Sequence, residues 1–200
     1  MNKLIAAICL GTLLVGSASA QANPNTHDGF YLQMAAGLGG FRSSVDDGGV
    51  EATYGGLTLP AQIFVGGTIA QHLVLSGGFF LDTAPAPKFK IDGNEVPGFP
   101  DFKQFLLGIG MMADFYVWSN KGLHFPFFMG WGGLETSTDQ GAGGSDPTGL
   151  MIFLGAGYDF FIADEWSFGV LFRLVVAPLK VDDVKFKTIE PGILATITFN

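Results

Sequence analysis

Apolar residues recur with a period of two along most of the chain after residue 29. In the first such stretch, Phe30, Leu32 and Met34 alternate with Tyr31 and Gln33. An extended chain with this spacing places its apolar side chains on one face. Comparable stretches of about ten residues start near residues 30, 57, 73, 104, 123, 150, 166 and 189. The pattern therefore predicts about eight β-strands.

The two faces of these predicted strands indicate which solvent they meet. One face is uniformly apolar. The other is rich in glycine, and its charged residues are Asp82, Asp114, Asp159, Arg173 and Glu190. Neither face carries the charge of a soluble surface. We therefore place the apolar face against lipid and the other face in a narrow interior, where small residues relieve crowding.

A closed barrel follows from the same pattern. Beyond Gln21, no run of about eighteen residues is apolar enough for a membrane-spanning helix, whereas a tilted strand of about ten residues crosses a bilayer. Closure leaves no unpaired backbone edge in hydrocarbon. The sequence predicts an all-β protein, an eight-stranded antiparallel up-and-down transmembrane β-barrel.

The first twenty residues have the features of an export signal. Lys3 precedes an apolar stretch from Leu4 to Val15, and the segment Ala18–Ala20 supplies the small residues that a signal peptidase accepts. The sequence therefore predicts three segments: a signal peptide at 1–20, a periplasmic tail at 21–28 and an outer-membrane β-barrel at 29–200.

Charge content restricts the possible functions. The 200 residues include 10 Lys or Arg and 18 Asp or Glu, which gives a formal net charge of −8. Nucleic-acid binding requires clustered basic residues, so this composition argues against it. Charged residues make up 14% of the chain, well below the roughly 25% of an average soluble domain.

Connector lengths alternate between short and long, which predicts the orientation of the barrel. Short or modest connectors are predicted at 70–72, 117–122 and 163–165, and long ones at 42–56, 83–103, 133–147 and 177–187. Short turns of such barrels face the periplasm and long loops face outward. Both chain ends are therefore predicted to be periplasmic.

Aromatic residues follow the same orientation. Trp118, Tyr158, Trp166 and Phe199 fall near predicted periplasmic ends, where an interfacial aromatic girdle is expected. Trp131 is the best candidate for the opposite girdle, which is thinner. These five residues are the predicted interfacial anchors.

The last strand carries a further signal. Residues Gly192–Phe199 alternate in character and end on an aromatic residue, followed by Asn200. Together with the small residues at Ala18–Ala20 and the alternating strands, this segment gives the chain a resemblance to a family of proteins. The chain resembles the small outer-membrane barrels of Gram-negative bacteria, those with an OmpA-like transmembrane domain and their OmpX and opacity-protein relatives. The resemblance implies recognition by the barrel-assembly machinery, and Asn200 departs from its pattern. It also implies outer-membrane lipid and lipopolysaccharide as surroundings.

Polar residues predicted to face the interior form two layers. The upper layer contains Asp82, Gln62, Arg173 and Glu190, and the layer near the periplasmic rim contains Asp114, Asp159, Tyr31 and Gln33. Because Glu190 lies on the strand next to Arg173, we expect these two side chains to pair. An unpaired confined charge costs about 3–5 kcal/mol. This cost favours a structural role for the network, with gating or ligand binding as the alternative.

Phenylalanines are predicted to point into the interior. The inward-facing set is Phe41, Phe64, Phe80, Phe128, Phe153 and Phe161. Eight strands enclose a space that side chains can fill, whereas water-filled channels use about sixteen or more. The rings form either a packed core or the lining of an apolar pocket.

The histidines do not form a catalytic arrangement with a nucleophile. His27, His72 and His124 all fall on the predicted periplasmic side, whereas a lipid-modifying enzyme needs its site near the outer rim. We interpret them as polar surface residues and predict no catalytic residue, cofactor site or metal site. The predicted function is a structural or surface-interaction role. A narrow channel or apolar-ligand conduit is the alternative, and a lipid-modifying outer-membrane enzyme is the third possibility.

Two further features concern the loops and the strand edges. Acidic residues gather in the predicted outer loops: Asp46, Asp47 and Glu51; Asp139 and Asp146; Asp182 and Asp183. Divalent cations could bridge them to lipopolysaccharide phosphates, although solvated loops explain them as well. Prolines in or near strands, which are Pro60, Pro126 and Pro191, predict bulges or strand ends because each removes one ladder hydrogen bond.

Overall fold

The computed structural model describes residues 29–47, 50–96, 102–118, 121–138, 141–142 and 146–199. These residues form eleven β-strands: β1 (Phe30–Asp47), β2 (Val50–Ala70), β3 (Leu73–Ala84), β4 (Lys88–Ile91), β5 (Asn94–Glu95), β6 (Phe102–Trp118), β7 (Lys121–Thr138), β8 (Gly141–Ala142), β9 (Thr148–Phe161), β10 (Trp166–Val181) and β11 (Val184–Phe199). None of the described segments is a helix with the length and hydrophobicity needed to span a membrane.

Eight of the strands close into a ring. Each long strand pairs antiparallel with its neighbours in the order β1, β11, β10, β9, β7, β6, β3, β2, and β2 pairs again with β1. The short strands lie outside this ring: β4 and β5 form a hairpin that pairs with β2, and β8 pairs with β7. The predicted eight-stranded antiparallel up-and-down barrel is confirmed.

Two faces alternate along every barrel strand, as the sequence pattern predicts. In β10, every second residue from Ser167 to Leu179 is buried and the residues between them are exposed. The exposed set is apolar on this and the other strands: Ile109 and Trp131 are each 60% exposed, and Phe172 is 59% exposed. A large exposed apolar surface is unfavourable in water, so the exterior of this barrel is suited to lipid.

The strands are longer than predicted, and two predicted loops are wrong. In the predicted loop 42–56, residues 42–47 continue β1 and residues 50–56 continue β2, and their ladder extends to the pair Asp47 and Val50. The segment 177–187 continues β10 and β11, which are joined at Asp182 and Asp183, and Asp182 has a positive φ of 51°. The zone of outward-facing apolar side chains around the barrel is called the apolar belt. Backbone pairing does not need apolar side chains, so the ladders continue beyond this belt.

The predicted loop at 83–103 contains local structure that the sequence pattern did not indicate. Strands β4 and β5 meet at a two-residue turn formed by Asp92 and Gly93, both with positive φ. An Asp-Gly turn with this geometry matches the right-handed twist of a hairpin. Lys88 forms an exposed ion pair with Glu95 across the hairpin at 3.0 Å.

The prolines interrupt the ladder without producing bulges, which corrects the prediction for Pro60, Pro126 and Pro191. Opposite Pro191, pairing between β1 and β11 stops after Gly39 and resumes at Arg42 in the same register. The ladders opposite Pro60 and Pro126 show the same two-residue gap. Proline cannot donate to a neighbouring strand, but its φ is compatible with an extended chain. The strand therefore continues through each gap.

Ile109→Arg tests which face meets lipid. Ile109 faces outward on β6, between Phe79 on β3 and Trp131 on β7. Because a charge at mid-membrane depth is costly, we expect the substitution to lower the free energy of unfolding by about 2–4 kcal/mol. Reversible denaturant unfolding in lipid vesicles measures it. The control is Asn94→Arg on the exposed hairpin, for which we expect little change; equally small effects of both would reject the assigned face.

Candidate functional site

The barrel interior is the candidate site, and its side chains form three levels. We name them from the end that carries the short turns at 71–72 and 162–165, called the short-turn end. The lower polar cluster contains Asp114, His124, Asp159, Tyr31, Tyr116 and Thr196. The aromatic layer contains Phe64, Phe80, Phe128 and Phe153. The upper ion-pair cluster contains Arg173, Asp82, Glu190, Gln62 and Thr58.

The upper ion-pair cluster centres on Arg173, which reaches across the lumen from β10 to β3. Its Nη2 lies 2.6 Å from both carboxylate oxygens of Asp82, and its Nη1 donates to Oε1 of Gln62 at 3.1 Å. All three side chains are buried. Charge-assisted hydrogen bonds of this length are strong in a low-dielectric interior. The cluster therefore ties opposite sides of the barrel together.

Glu190 is a secondary partner of Arg173, which corrects the predicted pairing. Its Oε1 lies 3.9 Å from the Arg173 guanidinium and accepts a hydrogen bond from the Thr58 hydroxyl at 2.9 Å. Neighbouring strands suggested the pair Arg173–Glu190, but the guanidinium extends inward and meets Asp82 instead. One buried cation thus faces two buried carboxylates.

Gln33 also differs from its predicted position. Its predicted place was the lower layer, yet its Oε1 accepts a hydrogen bond from Nε2 of Gln62 at 3.0 Å. Gln62 in turn accepts from Arg173. This chain of amides links the upper ion-pair cluster to β1, and both amide side chains are buried.

The aromatic layer packs across the lumen from four strands. Phe128 and Phe153 are stacked, with ring centroids 5.0 Å apart and planes at 9°, and Phe80 packs edge-on against Phe128 at 5.4 Å. The Arg173 guanidinium lies 5.0 Å from the Phe80 centroid, a cation–π distance. These contacts join the aromatic layer to the upper ion-pair cluster without an intervening gap.

The predicted inward orientation of the phenylalanines agrees with the structure. Phe41, Phe64, Phe80, Phe128 and Phe153 are buried. Phe161, at the end of β9, is partly exposed. Phe41 lies above the aromatic layer with Leu134, Leu106 and Leu179, which are buried in the same core. The interior is therefore packed with apolar side chains at and above the level of the four rings.

The lower polar cluster is built around a buried histidine. Nδ1 of His124 lies 2.7 Å from Oδ2 of Asp114, and the same oxygen accepts a hydrogen bond from the Tyr31 hydroxyl at 3.3 Å. The Tyr116 ring stacks on His124, with centroids 5.0 Å apart. All four side chains are fully buried. Asp114 is thus held by partners from β1 and β7.

Asp159 completes the lower polar cluster on the other side of His124. Its Oδ2 accepts from the Tyr116 hydroxyl at 3.3 Å, and its Oδ1 accepts from the Thr196 hydroxyl at 3.0 Å. Nε2 of His124 lies 3.9 Å from Oδ1 of Asp159. A Cβ on Gly157 would collide with the His124 ring, so glycine at this position makes room for the histidine.

The interpretation of His124 as a polar surface residue is wrong. It faces the lumen because it shares the inward parity of Pro126 and Phe128 on β7, which alternate with the outward-facing Phe125 and Phe127. This parity was visible in the sequence and is the signal that could have placed it. His72 lies at the turn after β2 and is partly exposed. His27 lies outside the described residues.

The lower polar cluster surrounds one imidazole with two carboxylates. Both ring nitrogens of His124 face carboxylates, whereas a nucleophile-activating histidine needs a hydroxyl or thiol on one of them. Ser76 is a buried serine, and its hydroxyl donates to the backbone oxygen of Met112 at 3.4 Å rather than to His124. Within the described part of the chain, no group of three or more His, Cys, Asp or Glu side chains is arranged to hold a metal ion.

The predicted interfacial aromatics lie on the outside of the barrel. Trp166 packs edge-on against Phe199 at 5.1 Å, and Tyr158 and Trp118 are exposed near the same short-turn end. Trp131 is outward-facing, between Ile109 and Leu150 in the ladder. Their role as membrane anchors stays a prediction.

The acidic residues predicted for the outer loops do not gather into one site among the described residues. Glu51 forms an exposed ion pair with Arg42 at 3.2 Å, and Asp182 and Asp183 lie in the exposed turn between β10 and β11. Asp146 is exposed. The side chains of Asp46 and Asp47, and all of Asp139, lie outside the described parts of the structure.

Comparison with known proteins supports the architecture. No protein-family model matches the chain, and no curated protein matches it. Among solved structures, Neisserial surface protein A is similar, with 18% identity and a TM-score of 0.53 over 85% of this chain and 96% of that one. The outer membrane protein OprG from Pseudomonas aeruginosa is also similar, with 15% identity and a TM-score of 0.52 over 89% of this chain and 100% of that one. The chain therefore has the fold of small outer-membrane β-barrels.

Proposed function

We propose that this protein is an outer-membrane β-barrel with a closed lumen and a structural or surface-interaction role. The apolar exterior and the fold support the location, because a closed ring of strands satisfies its own backbone in hydrocarbon. The segments at 1–20 and 192–199 are then the export signal and the signal for the barrel-assembly machinery.

The packing of the lumen carries the proposal of a closed barrel. Four fully buried rings lie between two hydrogen-bonded polar clusters, and Arg173 contacts both the rings and the carboxylate of Asp82. An ion crossing the lumen would have to displace this layer, because eight strands enclose little more than the side chains themselves. A filled interior of this kind favours a structural role over a channel.

The ends of the strands opposite the short turns are the parts available for surface contact. The β4–β5 hairpin and the turn at Asp182 and Asp183 carry exposed polar side chains. Surface loops of rigid scaffolds are common sites of binding. We therefore place the surface-interaction role at this long-loop end, and we assign no catalytic role to the lumen.

Single-channel recording in planar bilayers tests the closed lumen. We expect no stepwise conductance from the wild-type protein and defined steps only after the aromatic layer is reduced, for example in the double variant Phe128→Ala/Phe153→Ala. Phe127→Ala, which changes the neighbouring outward-facing ring, is the matched control and should stay closed. Regular conductance steps from the wild-type barrel would contradict the proposal and favour a narrow channel.

A further inference from the structure

Outward-facing basic side chains cluster on three neighbouring strands at the long-loop end. This basic arc consists of Lys180 on β10, Lys185 and Lys187 on β11, and Arg42 on β1, all of them exposed. Each has the parity opposite to the lumen-facing residues of its strand, which include Phe41, Leu179 and Thr188, so the four point away from the lumen. The arc lies directly above the apolar belt, where Ile189 is the ladder partner of Arg42.

The protein compensates the charge of the basic arc only in part, since two of its four members have a carboxylate partner. Lys180 and Lys185 are direct ladder partners, and like charges in facing positions destabilise a sheet. Lys187 lies between Pro178 and Ser44 in the ladder, so neither facing position supplies a carboxylate. The ion pairs that Lys180 makes with Asp183 at 3.9 Å and Arg42 makes with Glu51 are solvent-exposed, and such pairs are weak.

An apolar groove lies below the basic arc on the same part of the wall. It has a volume of about 640 Å³ and runs over β9, β10, β11 and β1, and its outward-facing lining includes Leu38, Leu154, Ala156, Phe172, Pro191 and Ile193. Ala156 contributes to it, because its small outward-facing side chain lies beside the larger Phe172, its ladder partner on β10. The ladder gap opposite Pro191 lies in the same place.

The groove and the basic arc are close enough for one molecule to contact both. Pro191 and Lys187 are four residues apart on β11, and Leu38 and Arg42 are four apart on β1, a distance of about 13 Å at ~3.3 Å per residue. A molecule that fits both features has an apolar chain and an anionic head. The groove opens on the outer wall of the barrel, so the surrounding membrane supplies such a molecule.

The width of the charged surface favours a headgroup with more than one phosphate. The basic arc spans β10 to β1, about 10 Å at ~4.8 Å between strands. Beside Arg42, a cleft of about 330 Å³ is lined by Lys88 and Lys90 of the β4–β5 hairpin and by Glu51, and Lys88 also pairs with Glu95. A single phosphate reaches only part of this surface. Lysine and arginine both bind phosphate oxygens through charge-assisted hydrogen bonds.

We propose that this wall of the barrel binds a phosphorylated saccharolipid of the outer leaflet, with its phosphates on the basic arc and an acyl chain in the groove. This inference rests on the proposed outer-membrane orientation, with the long-loop end outside. It is independent of the closed lumen. A conducting wild-type barrel would overturn the closed lumen and leave the lipid site standing.

Native mass spectrometry of the folded protein, titrated in detergent micelles with lipid A carrying both phosphates, measures the binding. Each lysine near an anionic headgroup contributes about fivefold in affinity. We expect the triple variant Lys180→Gln/Lys185→Gln/Lys187→Gln to lose roughly tenfold or more, and Ala156→Trp, which fills the groove, to lower the affinity as well. Heat-modifiable migration on a gel confirms that each variant is folded.

Matched variants on the opposite wall make the experiment decisive. Lys103→Gln removes an outward-facing lysine of β6, and Ala113→Trp adds the same ring on the same strand outside the groove. We expect both to bind lipid A within about twofold of the wild-type protein, well below the effect of one headgroup lysine. Lys180, Lys185 and Lys187 are also replaced by glutamine one at a time. If Lys103→Gln lowered the affinity for lipid A as much as each of these single variants, the attraction would be diffuse and the site would be overturned.

The ligand itself is tested by changing its head. We expect lipid A without phosphates to bind much more weakly, and phosphatidylglycerol, with a single phosphate, to displace lipid A only in large excess. Equal binding of the dephosphorylated lipid, or competition by phosphatidylglycerol at equal concentration, would overturn the assignment. If Ala156→Trp left the affinity for lipid A unchanged, the assignment of the groove to an acyl chain would be overturned.

Discussion

Arg173→Met is expected to destabilise the barrel by about 3–5 kcal/mol, because it leaves buried carboxylates without their cation. Arg173 bonds to both oxygens of Asp82 at 2.6 Å and lies 3.9 Å from Glu190, and all three side chains are buried. Methionine keeps much of the volume but neutralises none of the charge. Reversible denaturant unfolding in lipid vesicles measures the change in the free energy of unfolding.

Two companion variants separate the buried charge from other effects of this substitution. Arg42→Met removes an arginine whose ion pair with Glu51 is exposed, and we expect it to cost less than about 1 kcal/mol. Adding Asp82→Asn to Arg173→Met should recover part of the loss, because one stranded charge is removed. If Arg173→Met cost no more than Arg42→Met, the upper ion-pair cluster would not be a desolvated network.

Phe128→Ala is expected to cost about 3–5 kcal/mol, the range for truncating a buried ring. Phe128 contacts the other three rings of the aromatic layer and stacks on Phe153 with centroids 5.0 Å apart. Removing it leaves a cavity at the centre of the lumen, where neighbours fixed on separate strands cannot close the space. The same unfolding measurement in vesicles reports the loss.

Phe127→Ala provides the matched control one residue away. Phe127 is outward-facing and 41% exposed, so its truncation removes apolar transfer energy, about 1.5–3 kcal/mol for a side chain of this size, but lipid tails fill the space. The smaller loss at Phe127 is the expected result, and the difference is the cavity contribution. Equal losses at the two positions would indicate a loosely packed lumen and would weaken the case for a closed barrel.

Alternation along the chain was enough to predict the barrel and the orientation of most of its side chains. A strand has a side-chain period of two, so the inward set containing Phe128, Phe153 and Arg173 and the outward set containing Ile109 and Trp131 both followed from local spacing. Closure into eight strands also followed, because exposed apolar strands without closure would leave unpaired backbone in lipid.

Strand lengths and lumen contacts could not be predicted in the same way. The pattern of apolar residues marks the apolar belt. The ladders of β1, β2, β10 and β11 continue beyond it, because polar residues allow backbone pairing equally well. His124 was misplaced because it lies at the start of its predicted strand, next to a connector, and its parity with Pro126 and Phe128 was not used.

The sequence by itself determined which face of each strand meets lipid, because that choice depends only on residues two apart. The tertiary structure decided which interior residues meet. Arg173 and Asp82 are separated by 91 positions and come from strands that are not neighbours, and their contact depends on barrel register, strand tilt and side-chain length. The coincidence of the apolar groove with the basic arc has the same origin, since both are assembled from strands brought together only when the first and last strands pair.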